Sequence, residues 1–394
     1  MSNGNSFMIL YIFTSIFLII FLIDAIPLIN TWQSRIKIGR FRDRQSWREK
    51  VLKVSRKWLR VTPTIKLTDH SRLIIIDRLK GNYKRNTIQA WQEAALVLGL
   101  NEYVSKTGDA AVRKAIQNFF DSKINQTGWK VKPTESDHAI LGYALLNADF
   151  IDHSQYKTAL DEMHHMILSL KGEDGIVAYK NHNRDYRFVD TIGFICPFLV
   201  NYGLQFNIPE AVDLAVSQIA EFQKYGMINE ENIPCHTYNG HTKIPTGLLG
   251  WGRGIGWFVI GLIDSWNALP NDHSQKKTLE EIIVKTAKSV LKFQLENGGF
   301  NWLVFVKESR IDSSTVATLC WFFTLASQIP EISEACILAK EKGLDYLQSV
   351  TRRNGAVDFS QGDTKAIGVY SKNFDILPFT QGFVLRTISR SLSL

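Results

Sequence analysis

The feature that most constrains this chain is a turn that recurs along it. A helical stretch ends in polar or charged residues and a glycine, followed by a hydrophobic residue. This occurs at Thr127-Gly128-Trp129, Asp174-Gly175-Ile176, Tyr225-Gly226-Met227, Gly298-Gly299-Phe300 and Asn354-Gly355-Ala356. Glycine is the residue expected where a helix stops in the left-handed conformation. Gly128, Gly175, Gly226, Gly299 and Gly355 are separated by 47, 51, 73 and 56 residues. Each interval holds two apolar-periodic segments, as at 190–204 and 209–222. Helical hairpins of this length stack into an open solenoid or close into a toroid. About six fit between residue 65 and the C-terminus, and six closes the ring. The expected fold is therefore all-α, an (α/α)6 barrel, with the solenoid as the alternative.

The segment after each turn is dense in polar groups and then opens a helix that is apolar nearly all round. These openings are Ser136-Asp137-His138, Phe188-Val189-Asp190, Trp251-Gly252-Arg253, Ile311-Asp312-Ser313 and Thr380-Gln381-Gly382. A helix without a polar face is buried on all sides. These helices should form an inner ring whose N-termini bring their polar residues to one cavity.

Residues 7–28 form an almost uncharged run, interrupted by Asp24. Its length suits a membrane-crossing helix. A cleaved signal fits less well, because no Lys or Arg precedes the run and no clear small-x-small site follows it. From Arg35 to Arg60 there are eleven Lys/Arg and two Asp/Glu, a net of +9, whereas the whole chain carries +8. The remainder is thus almost neutral. By the positive-inside rule the collar and everything after it are expected in the cytoplasm. The collar suits anionic lipid headgroups, and no nucleic-acid motif accompanies the charge. The expected segments are a tail at 1–6, a transmembrane helix at 7–28, a basic juxtamembrane stretch at 29–64 and the barrel at 65–394.

Asp137 and Asp190 head two successive inner helices. An Asp at a helix start is most often an N-cap. Two carboxylates on one rim, however, suit glycoside chemistry, in which one acts as an acid near neutral pH. Asp312 sits in the same context, with capping and function equally weighted. Trp251-Gly-Arg-Gly-Ile-Gly-Trp257 alternates aromatics and an arginine with three glycines. Glycine weakens a helix by roughly 1 kcal/mol relative to alanine, so three suggest close approach of a ligand. Arg253 is a candidate donor to a carboxylate or hydroxyls. The string lacks the Lys-Ser/Thr ending of a phosphate loop. The long interval carries an insertion at about 228–250 with His236 and His241. No acidic third ligand stands at a helpful spacing, so no metal is expected, and His236 is read as a hydrogen-bonding group. Cys196, Cys235, Cys320 and Cys336 show neither zinc-site nor disulfide spacing.

Three strings together resemble glycoside hydrolase families 88 and 105, the unsaturated glucuronyl and rhamnogalacturonyl hydrolases. They are Val189-Asp190-Thr191-Ile192-Gly193 with Pro197-Phe198-Leu199, Trp251 to Trp257, and Asp312-Ser313-Ser314 with Ala317. Asp137-His138 with Gly142 fits the first acidic motif, and the resemblance runs over about residues 85–390. It implies an (α/α)6 barrel that hydrates the C4=C5 double bond of an unsaturated uronic acid, without a cofactor, on an oligosaccharide or polysaccharide. It makes Asp190 the acid/base and Asp137 its partner carboxylate. It also places His236, Trp251, Arg253 and Trp257 against substrate. Phe188 stands where the family often has Trp, Ile255 where it has Asn, and Thr315-Val316 where it has Gly-Thr. Two alternatives use the same barrel. One is a non-hydrolytic glycan-binding protein of surface-polysaccharide assembly. The other is a sugar 2-epimerase, which would want two cavity histidines.

Overall fold

The computed structural model describes residues 2–66, 69–70, 73–81, 83–84, 89–228 and 230–391. An N-terminal helix α1 (Ser2–Arg35) is followed by α2 (Arg44–Arg60) and the short α3 (Ile74–Leu79). Eleven more helices follow: α4 (Ala90–Thr107), α5 (Ala110–Lys123), α6 (Ala139–Leu146), α7 (Lys157–Ser169), α8 (Val189–Phe206), α9 (Pro209–Tyr225), α10 (Gly252–Ala268), α11 (Lys276–Leu291), α12 (Ser313–Ala326), α13 (Ser333–Ser349) and α14 (Pro378–Arg390).

The even-numbered helices from α4 to α14 pack each on the next, and α14 packs back on α4. That closes the inner ring of an (α/α)6 barrel. The inner helices are apolar all round and buried all round, as α8, α10 and α12 show. The outer helices α5, α7, α9, α11 and α13 bury one stripe each. Gly128, Gly175, Gly298 and Gly355 have φ between +80° and +108° and turn the chain from outer helix to inner. Gly226 departs from the expectation: its φ is −97°, and the chain there runs straight into a strand.

The sixth outer helix is α2. It packs on α14, α4 and α5 and buries Trp47, Val51, Val54 and Trp58. The boundary drawn at residue 65 from charge therefore falls inside the barrel. The basic residues of α2 occupy the solvent side of an amphipathic helix, which a net-charge count cannot distinguish from a free collar.

A buried ion pair lies in the closed core. Arg386 donates to Asp264 (2.7 Å) and to the Tyr143 hydroxyl (2.7 Å), its guanidinium lies 3.9 Å from the Trp321 ring centre, and Trp321 Nε1 donates to Asp264 (2.8 Å). Four inner helices are tied together by this cluster.

α1 is long and apolar enough to cross a membrane, and the window from Phe7 is wholly unburied. A signal sequence would pass the same test of length and composition.

Candidate active site

The openings of α4, α8 and α10 meet at one end of the barrel around a cavity of about 860 Å³. The insertion after Gly226 builds part of its rim. Strand 233–239 pairs with 186–188, with 227–228 and with 245–249. This small sheet joins the start of α8 to the approach to α10 and carries His236 on its central strand.

Asp190, in the first turn of α8, lines the cavity with its side chain 15% exposed. Its Oδ2 has no hydrogen-bond partner, although it is buried and lies 3.4 Å from His236 Nε2. An unpartnered buried carboxylate oxygen carries a desolvation penalty that a ligand or water would relieve. The His236 ring is held from the other side. The Tyr370 hydroxyl accepts from the Leu248 backbone N–H (3.0 Å) and stands 2.6 Å from His236 Nδ1. When the hydroxyl donates to Nδ1, the ring proton resides on Nε2, facing Asp190.

Phe188, Asp190, His236, Trp251, Arg253 and Trp257 all line the cavity. Asp137 does not. It is buried at the start of the one-turn 3-10 helix before α6, with Oδ1 unpartnered and 3.3 Å from His138 Nδ1. That nitrogen hydrogen-bonds the Glu135 carbonyl at 3.2 Å. The contact with Asp137 is the main cause holding the His138 pKa above its usual value. Asp137 and Asp190 both act on Tyr179, whose hydroxyl is pushed far up, first by burial and then by these two charges. Tyr179 lines the cavity.

Arg253 is 1% exposed, and its Nη1 and Nη2 donate to the carbonyls of Gln361 (2.5 Å) and Gly362 (2.6 Å). Trp251 Nε1 donates to Gln361 Oε1 (2.9 Å). The principal engagement of this arginine is thus with a loop, not with open space. The glycines around it also serve packing. A Cβ on Gly252 or Gly256 would collide with Thr315 or Thr318 of α12, so both let two inner helices approach. Asp312 is an N-cap: it accepts from the Ser314 and Thr315 amides and from the Gln361 amide, and it is fully buried.

The loop that Arg253 holds supplies residues the sequence did not reveal. Asp363, Thr364, Lys365, Ala366 and Ile367 line the cavity. Asp363 accepts from Gln89 (2.8 Å). Burial raises its pKa against the opposing pull of Arg253, and Asp190 adds to the rise. Trp91, at the start of α4, meets Trp257 edge-on at 5.7 Å, and Phe194 lies 4.4 Å from Trp257. The opening of α4 was missed because it follows no glycine turn. His182 stands exposed at the rim, and His241 lies outside the cavity, 3.4 Å from Asp185.

Residues 67–385 match the family model described as Glycosyl Hydrolase Family 88. Solved structures share the fold at low identity. A possible member of family GH105 from Klebsiella pneumoniae is 16% identical with a TM-score of 0.75, covering 89% of this chain and 94% of that one. A possible GH105 member from Salmonella enterica serovar Paratyphi A has the same identity and coverage with a TM-score of 0.74. Unsaturated glucuronyl hydrolase from Bacillus sp. GL1 is 16% identical with a TM-score of 0.66, covering 88% of this chain and 96% of that one.

Proposed function

This chain belongs to glycoside hydrolase family 88, and from that membership we propose that it hydrates the C4=C5 double bond of an unsaturated uronic acid at the end of an oligosaccharide. The observation that carries the reading is the unpartnered Oδ2 of Asp190 beside His236 Nε2 in a large, aromatic-walled cavity. In this reading the Asp190 carboxyl gives its proton to C4, and positive charge develops at C5. The resulting carboxylate then takes a proton from the water that adds to C5. The hemiketal so formed opens to a ketone and releases the aglycone. His236 orients the Asp190 carboxyl, and Asp137 tunes the field from behind Tyr179. Lys180 and Lys365 stand at the wall as cations for an anionic sugar.

The test uses oligosaccharides generated by a polysaccharide lyase, followed by loss of the absorbance of the conjugated double bond. Asp190→Asn preserves shape but transfers no proton. It should fold normally and lose at least about 10²-fold in rate, the usual scale for general acid–base catalysis. Near wild-type turnover by Asp190→Asn would reject the assignment.

We further propose that α1 spans a membrane with the barrel in the cytoplasm, on the strength of the uncharged N-terminus and the basic residues that follow. A C-terminal reporter active only in the cytoplasm tests the side. Activity from a reporter that works only outside would reverse it.

A further inference from the structure

α3 is amphipathic in the opposite sense to a soluble helix. Its inward side is Ile74 and Asp77, and its outward side is Leu73, Ile76 and Leu79, the last 83% exposed. Arg78 and Lys80 are also exposed on this short element. It packs on α1, and the Ile74 amide donates to Asp24 Oδ1 at 2.5 Å. The seventeen residues from Phe7 to Ile23 rise about 25 Å as a helix, against a hydrocarbon core of about 30 Å. With Phe7 at one face of the core, Asp24 therefore lies within about 5 Å of the other, and α3 is fastened at that level. The exposed apolar surface continues along α1 itself through Leu28, Ile29 and Trp32.

The end of α1, the turn after it and Asp69, ahead of α3, hold the segments on either side of the loop that builds the cavity wall. At the end of α1, Arg35 makes a two-pronged contact with buried Asp358 (2.6 and 3.0 Å), and the Ser34 carbonyl accepts from the Arg353 amide (3.0 Å). The Gly39 amide donates to the Thr351 carbonyl at 2.9 Å. On the far side, Asp69 accepts from the Ser371 hydroxyl (2.8 Å) and the Lys372 amide (3.0 Å). These attachments flank 363–367, the stretch that lines the cavity. A flexible tether would need none of them.

We propose that the outward face of α3 lies in the headgroup zone of the anionic membrane that α1 enters, holding the wall of the substrate cavity at the bilayer surface. Apolar side chains flanked by Arg and Lys are the composition that binds such an interface. The proposal rests on the spanning reading of α1 and is independent of the reaction catalysed.

The test places one cysteine at a time in the full-length chain, labels it with an environment-sensitive fluorophore, and reconstitutes it in bilayers of phosphatidylcholine and phosphatidylglycerol containing brominated lipid. The four native cysteines are buried and should stay unlabelled. Leu79→Cys, with Leu73→Cys as a second site, should be quenched by lipid. Leu338→Cys, on an exposed apolar position of α13, should not. Phe17→Cys reports the span itself. Quenching at Phe17 with a water-exposed label at both Leu79 and Leu73 overturns the proposal and leaves the span standing. Absence of quenching at Phe17 removes the span and the proposal with it.

Discussion

Replacing Arg253 by Met separates two roles that the sequence leaves indistinct. If the arginine chiefly holds the 361–363 loop, its removal is a stability defect first. Its two charged hydrogen bonds to the Gln361 and Gly362 carbonyls are of a type worth about 1.5–3 kcal/mol each. Methionine recovers some of the desolvation that burying a guanidinium entails, so the lower end of the sum, about 3 kcal/mol, is the expected loss. Unfolding entropy runs near 2.1 cal/mol/K per residue, so about 350 barrel residues give roughly 0.7 kcal/mol/K, and 3 kcal/mol lowers Tm by about 4 °C. Calorimetry measures this directly. Near-ultraviolet circular dichroism should change with it, because Gln361 is also the partner of Trp251 Nε1. Arg253→Lys keeps the charge near Asp363 without the two-pronged geometry and should fall between the two. An unchanged Tm for Arg253→Met, together with weakened substrate binding, would refute the loop role and restore the arginine as a direct substrate ligand.

Three further outcomes follow from the same geometry. Tyr370→Phe removes the hydroxyl that hydrogen-bonds His236 Nδ1 and holds its ring; kcat should fall by up to about tenfold, the equivalent of one neutral hydrogen bond, with KM nearly unchanged, and a rise in KM alone would contradict the positioning role. Asp363 has its pKa raised by burial, so it binds its proton more tightly folded than unfolded, and its contribution to stability is present below the usual carboxylate range and lost as pH rises through the folded value. Asp363→Asn should therefore raise Tm near pH 8 and leave it unchanged at acid pH; a gain of equal size at both would exclude this cause. Arg386→Met strands Asp264 in the core and should cost about 3–5 kcal/mol, whereas the double change Arg386→Met with Asp264→Leu should recover most of it; a double variant as unstable as the sum of the two singles would show that the pair does not act as a unit.

The barrel was legible because its signals are local. A glycine at the end of an outer helix and the apolar run after it lie 11 to 26 residues apart, and each pair announces one hairpin. The same holds for Asp190, which stands at the opening of a run with no polar face. α2 was not legible in this way. Its apolar positions Trp47, Val51, Val54 and Trp58 are spaced for one face of a helix, but eleven basic residues between Arg35 and Arg60 dominate the composition. Periodicity and charge gave different answers there, and periodicity was the physical one, because burial of a stripe decides packing whereas the charge sits in solvent.

The parts of the site that escaped are the ones made by distant chain segments. Gln361, Asp363 and Tyr370 lie in a loop with no motif of its own, and their meaning depends on partners more than a hundred residues earlier: Arg253, Trp251 and His236. A sequence string marks where a residue opens a helix, not which of its atoms are already engaged. The string from Trp251 to Trp257 shows the consequence. Its glycines and arginine have the composition of a ligand-binding loop, yet two of the glycines admit α12 and the arginine grips two backbone carbonyls. Asp190 faces the cavity with an oxygen that no protein group answers, and the proposed acid chemistry uses a carboxyl at that place. The surrounding string has both relations to the site: Trp251, Arg253 and Trp257 line the same cavity as Asp190, and Arg253 at the same time holds the backbone of Gln361 and Gly362 next to the loop that completes its wall.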